Sequence, residues 1–175
     1  MPDLAATFEQ NAIDAAATVW RIERSPLAVR SAIERAAEGL KGIVMSEAEF
    51  LAPQILAGAR GLAGIILKPD DEQLTTAGVG VTEAFAGIAS TGSVCVSLGR
   101  PLVGATSLLM PLNIVLLASE RIVERPRDLF HPECLKGEAL KRNLIVITGP
   151  SATADMGPLV RGVHGPHRLL ILLLE

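Results

Sequence analysis

The sequence predicts an α/β fold, a mostly parallel sheet with helices on both faces. Three observations carry this. Strand-length and helix-length patterns alternate from Ala17 to Pro69, the signature of a parallel sheet with crossover helices. Two runs, "NIVLLAS" (113–119) and "RLLILLL" (168–174), are apolar at almost every position, as strands covered on both faces are. The chain is 49% hydrophobic but only 3% aromatic, so its core is built from Ala, Val, Ile and Leu.

The elements follow in order. "ATVWRI" (17–22) reads as a strand. "SPLAVRSAIERAAE" (25–38) reads as a helix, with Ser25 as N-cap, Pro26 at the first helical position and Gly39 as the stop. "KGIVMS" (41–46) is a short strand, and "EAEFLAPQILAGA" (47–59) is helical around Pro53. "LAGIILKP" (62–69) reads as a buried strand. "GVGVTEAFAGIASTGSVCVSL" (78–98) is rich in Gly, Ser and Thr. It predicts strands broken by close turns, with a hairpin around Ser90–Gly92. Pro111 divides the next apolar run into a helix, "LVGATSLLM", and the strand at 113–119. "SERIVERPRDLF" (119–130) is a short helical element and connection with a solvated, mixed-charge face. "HPECLKGEALKR" (131–142) reads as an exposed loop or helix. "LIVIT" (144–148) and "RLLILLL" close the sheet.

At 175 residues the chain has the length of one domain spanning 1–175. A net charge of −3 leaves no basic footprint for nucleic acid. The longest uncharged run, Pro101–Ser119, holds two Pro and an Asn, so no membrane span is expected. "MPDLAATFEQ" lacks the basic and apolar regions of a secretory signal, which points to the cytoplasm. Cys95 and Cys134 read as reduced thiols, with Cys95 a buried structural one. Two thiols are too few for an iron–sulfur cluster. With three His in the chain, no metal site is expected, "HPEC" (131–134) included.

The stretch Gly149–Pro166, "GPSATADMGPLVRGVHGP", holds the candidate site. Gly149 follows a strand, and ligands in open α/β sheets bind at the carboxyl ends of strands. Ser151 and Thr153 offer hydroxyls, and Asp155 stands where it would cap a short helix "MGPLVRG". Two readings stand: a loop for an anion or other polar ligand, or an ordinary strand-to-helix turn with a Ser/Thr/Asp cap. His164, between Gly162 and Gly165, is either an acid/base or anion donor, or a side chain that fixes the loop. Arg161 and Arg168 would assist an anionic group. The turn at Thr91 and Gly92 is either a second ligand-contacting turn or a plain hairpin turn. Glu83 would be a base if buried, a surface or helix-capping residue otherwise.

Three segments, "VTEAFAGIASTGSVCV", "SLLMPLNIVLLASERIV" and "TGPSATADMGPLVRGVHGPHRLLILLLE", resemble in content and order the LUD-domain family, in particular its lactate-utilisation protein C branch. The resemblance covers about the last hundred residues, and the N-terminal half matches only in element pattern. It implies a fold like that of the NagB/RpiA/CoA-transferase superfamily. It also implies a role in oxidising L-lactate to pyruvate beside partner subunits that carry the iron–sulfur clusters. The subunit itself would hold no cofactor and would bind a small anionic ligand. The ligand-binding candidates are Thr91, Gly92, Gly149, Ser151, Thr153, Asp155, His164, Gly165 and Arg168, converging in one pocket; no catalytic residue is assigned. An independent enzyme of CoA-transferase or sugar-phosphate-isomerase type, and a non-catalytic assembly protein, are the alternatives. The sequence departs from the family pattern at Ser90, which stands in place of an acidic residue. It departs also at Leu112-Asn113, where an acidic residue and a His are common, and at Met156-Gly157 in place of Ile-Glu.

Overall fold

The computed structural model describes residues 3–132, 134, 143–155 and 157–175. Six strands form one sheet: β1 (Thr18–Ile22), β2 (Ile43–Met45), β3 (Ile65–Ile66), β4 (Val79–Glu83), β7 (Leu112–Ala118) and β12 (Arg168–Leu174). Their order is β1-β12-β7-β4-β2-β3, and every pairing is parallel. The two uniformly apolar runs are therefore the middle of the sheet. The last strand of the chain inserts between the first strand and β7 in full register, Arg168 to Leu174 beside Leu112 to Ala118.

Alternate residues of these strands serve two layers. Leu112, Ile114, Leu116, Leu170, Leu172 and Leu174 face α2 (Pro26–Ala36) and α3 (Pro53–Arg60), which bury Val29, Ile33, Leu56 and Ala59 against them. Ser25 caps α2 by accepting from the Ala28 N–H at 3.3 Å, and Pro occupies the first turn of both helices. Val115, Leu117, Leu169, Ile171 and Leu173 face the other way. They meet α1 (Leu4–Asp14) through Phe8 and Ala12, and a second sheet through Ala89, Val94 and Ile122. That sheet has the order β8-β5-β6-β9, with β5 (Ala86–Ile88), β6 (Ser93–Ser97), β8 (Ile122–Val123) and β9 (Leu144–Ile147). The β5–β6 hairpin turns at Ala89–Gly92, as the turn residues predict. The short helices α4 (Asp71–Thr76) and α5 (Val103–Leu108) complete the chain, α5 lying on β4 and β7.

Several expectations need correction. "LIVIT" does not close the parallel sheet: β9 pairs antiparallel with β6 and forms the edge of the second sheet. The segment 62–69 holds only the two-residue, half-buried edge strand β3. The described residues of "MGPLVRG", 157–162, form no helix. Val160–Arg161 (β11) instead pairs antiparallel with Ala152–Thr153 (β10), and Gly157, at φ +125°, is outside any helical conformation. The residues 119–130 form two 3₁₀ turns, Ser119–Arg121 and Pro126–Phe130, with β8 between. The reading of 131–142 falls largely outside the described residues. Helices α1 and α4 were not predicted.

Candidate functional site

A cavity of about 370 Å³ lies between the two sheets. Its walls are β9 with Thr148, the loop 149–152, the loop 164–166, Ser107 and Leu108 of α5, and Asn113 and Leu169 from the central sheet. Asn113 and Leu169 are the second residues of β7 and β12. The cavity therefore sits at the amino ends of these parallel strands, which corrects the expectation of a carboxyl-end site. Gly149 does follow the carboxyl end of a strand, but that strand belongs to the other sheet.

Asn113 is the one side-chain amide among the described residues of the wall. Its side chain is fully buried, 0% exposed. The Thr82 hydroxyl donates to its Oδ1 at 3.3 Å, and its Nδ2 has no hydrogen-bond partner among the described residues. An unpaired buried donor costs about 1–3 kcal/mol, so natural proteins rarely leave one without a reason. The signal in the sequence was a lone amide in "LNIVLLA", a run otherwise apolar throughout. With period two, Asn113 shares a face with Val115 and Leu117, the face turned to the second sheet.

Of the nine candidates, Gly149, Ser151, His164 and Gly165 line this cavity. Two backbone bonds bring their loops together: the Ser151 N–H donates to Pro166 O at 3.0 Å and the Gly162 N–H to Ser151 O at 2.9 Å. Thr153 and Asp155 lie outward on the β10–β11 arm, where the Asp155 N–H donates to Thr153 Oγ1 at 3.3 Å. Thr91 is joined through the Ser93 hydroxyl to Thr148, with contacts of 2.7 Å and 2.7 Å, so it ties the hairpin turn to the end of β9. Gly92 and Gly149 both have positive φ, +62° and +68°, and both abut the backbone of α1 and its C-cap. Arg168 opens on the opposite face of the sheet, into a separate cavity of about 290 Å³ with Trp20, Arg35 and Glu38. The structure thus gathers four candidates and separates the others.

At the carboxyl ends of the strands, Glu83 is buried and holds a loop. Its carboxylate accepts from the backbone N–H groups of Glu49, at 2.6 Å, Phe50, at 2.9 Å, and Leu51. Burial pushes its pKa above the ordinary carboxylate value, against the opposing effect of these donors and of Arg121. Arg121 donates to Phe85 O and stacks on the Phe50 ring. Among the described residues no group of three or more His, Cys, Asp and Glu is placed to hold a metal ion. No helix there is long and apolar enough to cross a membrane.

The LUD domain family model matches residues 60–174, which include every described residue of the cavity wall. The chain belongs to the LUD-domain family. Its relatives include the "Uncharacterized protein YkgG" of Escherichia coli strain K12, 32% identical over 107 residues, 59% of this chain and 46% of that protein. The "Lactate utilization protein C" of Halalkalibacterium halodurans is 32% identical over 108 residues, 59% of this chain and 47% of that protein. The chain spans about half the length of these curated relatives. A crystal structure of a DUF162 family protein from Deinococcus radiodurans superposes with TM-score 0.69 at 21% identity, covering 98% of this chain and 96% of that one. This likeness reaches the part of the LUD chain, α1 to β2, that lies before the family match, and it establishes the fold.

Proposed function

We propose that this LUD chain serves lactate utilisation as an accessory subunit, and that it holds a small polar ligand in the cavity beside Asn113. The observation that carries the site is the cavity between the two sheets, lined by the polar residues Ser107, Asn113, Thr148, Ser151 and His164. The named relative supports the pathway. Partner subunits bearing iron–sulfur clusters would carry the electrons.

The wall offers hydroxyls, an amide and one ionisable side chain, His164, with which to hold a polar ligand. None of its described residues is Asp, Glu, Lys or Arg. Ser90, at the position where the family pattern carries an acid, is exposed on the β5–β6 turn and lies outside the cavity. The test is growth on L-lactate with Asn113→Leu as the sole copy. Leu fills a similar volume and removes the amide. Growth fails if the reading is right, with the variant soluble and at wild-type abundance; wild-type growth refutes it. Affinity purification from lactate-grown cells checks the partner claim: iron–sulfur proteins co-purify, and recovery of the chain alone contradicts it.

A further inference from the structure

We infer that the cavity on the other face of the sheet is a second ligand site, and that its ligand is a small dianion. The inference is independent of the cavity beside Asn113. Thr18, Leu112 and Arg168 are the first residues of β1, β7 and β12, so this second cavity opens at the amino ends of three neighbouring strands. The last turn of α2 closes it with Arg35 and Ala36, and Glu38 follows just beyond the helix. Its volume of about 290 Å³ is at the small end of the range for ligand sites.

Charge selects the ligand. Arg35 and Arg168 line one hollow, and neither has a carboxylate partner among the described residues, although Glu38 stands on the same wall. The chain as a whole carries −3, so two unpaired cations gathered in one place run against its overall charge. Two like charges facing one concavity raise its potential and draw in an opposite charge. The Arg35 guanidinium lies over the Trp20 ring, 4.6 Å from its centroid. Stacking engages the face of the guanidinium and leaves its N–H edge free to donate. The Arg168 side chain is exposed and reachable from solvent. Each guanidinium fork matches two oxygens. Two forks call for a ligand with oxygens for both, a phosphate group or a pair of carboxylates; a single carboxylate satisfies one fork and leaves the other. Glu38 opposes any anion and lowers its affinity. Arg35 also offsets the carbonyl end of α2. Arg168, on a strand, has no such duty, so it carries the test.

Trp20 is the one tryptophan of a chain without tyrosine, so its emission reports on this cavity. The probes are phosphate, malonate and acetate. Each is titrated into the full chain at low ionic strength and mildly alkaline pH, where the first two are dianions. At least one dianion changes the emission saturably and binds about tenfold or more tighter than acetate. The tighter of the two names the source of the charge, a phosphate ester or a dicarboxylic acid. Arg168→Gln, which keeps the Arg35–Trp20 stack, weakens that binding about tenfold, and Glu38→Gln strengthens it. Acetate binding as tightly as both dianions overturns the inference, as does Arg168→Gln binding them like the wild type. It is overturned also if neither dianion gives a saturable change in Trp20 emission or in the Trp20 indole N–H signal of the wild-type chain.

Discussion

Gly92 and Gly149 come from two loops far apart in sequence, and the structure uses both to seat α1. A Cβ built on Gly92 would lie 2.0 Å from Ala12 N and 2.3 Å from Asn11 C; one on Gly149 would lie 2.0 Å from Ala15 O. These neighbours are backbone, so they move only if α1 moves. Gly92→Ala therefore carries two costs. The left-handed conformation, φ +62°, costs a non-glycine residue about 1–2 kcal/mol. Displacing α1 then loosens Phe8 and Ala12, each 0% exposed; removing a buried Phe side chain outright costs about 3–5 kcal/mol, and partial loosening about half of that. The sum is about 3 kcal/mol or more. Gly39→Ala isolates the first cost, because Gly39 has φ +77° and nothing within 4 Å of its Cβ position. Equilibrium urea unfolding, followed by far-ultraviolet circular dichroism, measures both variants. Gly92→Ala should lose at least about 1.5 kcal/mol more than Gly39→Ala. Equal losses, within about 0.5 kcal/mol, would refute the claim that this glycine exists to admit the helix.

Three further outcomes follow from the same structure. A carboxyl whose pKa is raised by burial, as at Glu83, binds its proton more readily in the folded state, so its contribution is greatest below the unfolded value and falls as pH rises through the folded one. Wild-type stability minus that of Glu83→Gln should therefore fall between pH 4 and pH 7 in urea titrations; a rise contradicts the burial argument. Cys95 is 0% exposed and its thiol is pushed up to about 11 by burial, whereas Cys134 is half-buried. At pH 8 an aromatic disulfide reagent should label Cys134 first and Cys95 only on unfolding, and two equally fast thiols contradict this. Arg168→Ala should leave growth on L-lactate unchanged, since Arg168 opens into the other cavity and distant sites act independently; failed growth with a soluble, abundant variant would contradict this.

The layer structure was legible because burial on two sides leaves a mark. Val115 and Leu116 face different layers, and both must be apolar, so "NIVLLAS" and "RLLILLL" read as strands covered on both faces, while apolarity alone leaves the last of them open to an edge or a central place. The Ser25-Pro26 start of α2 was legible because capping is local chemistry. "LIVIT" misled because an apolar run says nothing about which sheet it joins. Its half-buried pattern arises from its place at an edge, which depends on β6. Helix α1 left a thin trace, Phe8 and Ala12 four residues apart behind the Asp3 cap, too few apolar positions to read as a stripe.

The site divides along the same line. The loops that carry Gly149, Ser151, His164 and Gly165 were visible as polar, Gly-Pro-rich connections between apolar runs. Arg168 stands beside them in sequence, yet it opens into the other cavity with Trp20 and Arg35, and only its neighbour Leu169 reaches both. Asn113 went unread as a site residue because its meaning depends on Thr82 and on the opening left beside β9. Neither is near it in sequence.

The most direct measurement is a crystal structure of the chain purified from lactate-grown cells. The account predicts ordered ligand density in the cavity between Asn113 and β9. A clear map with that cavity free of ligand, or with ligand only beside Trp20 and Arg168 on the opposite face, would contradict it.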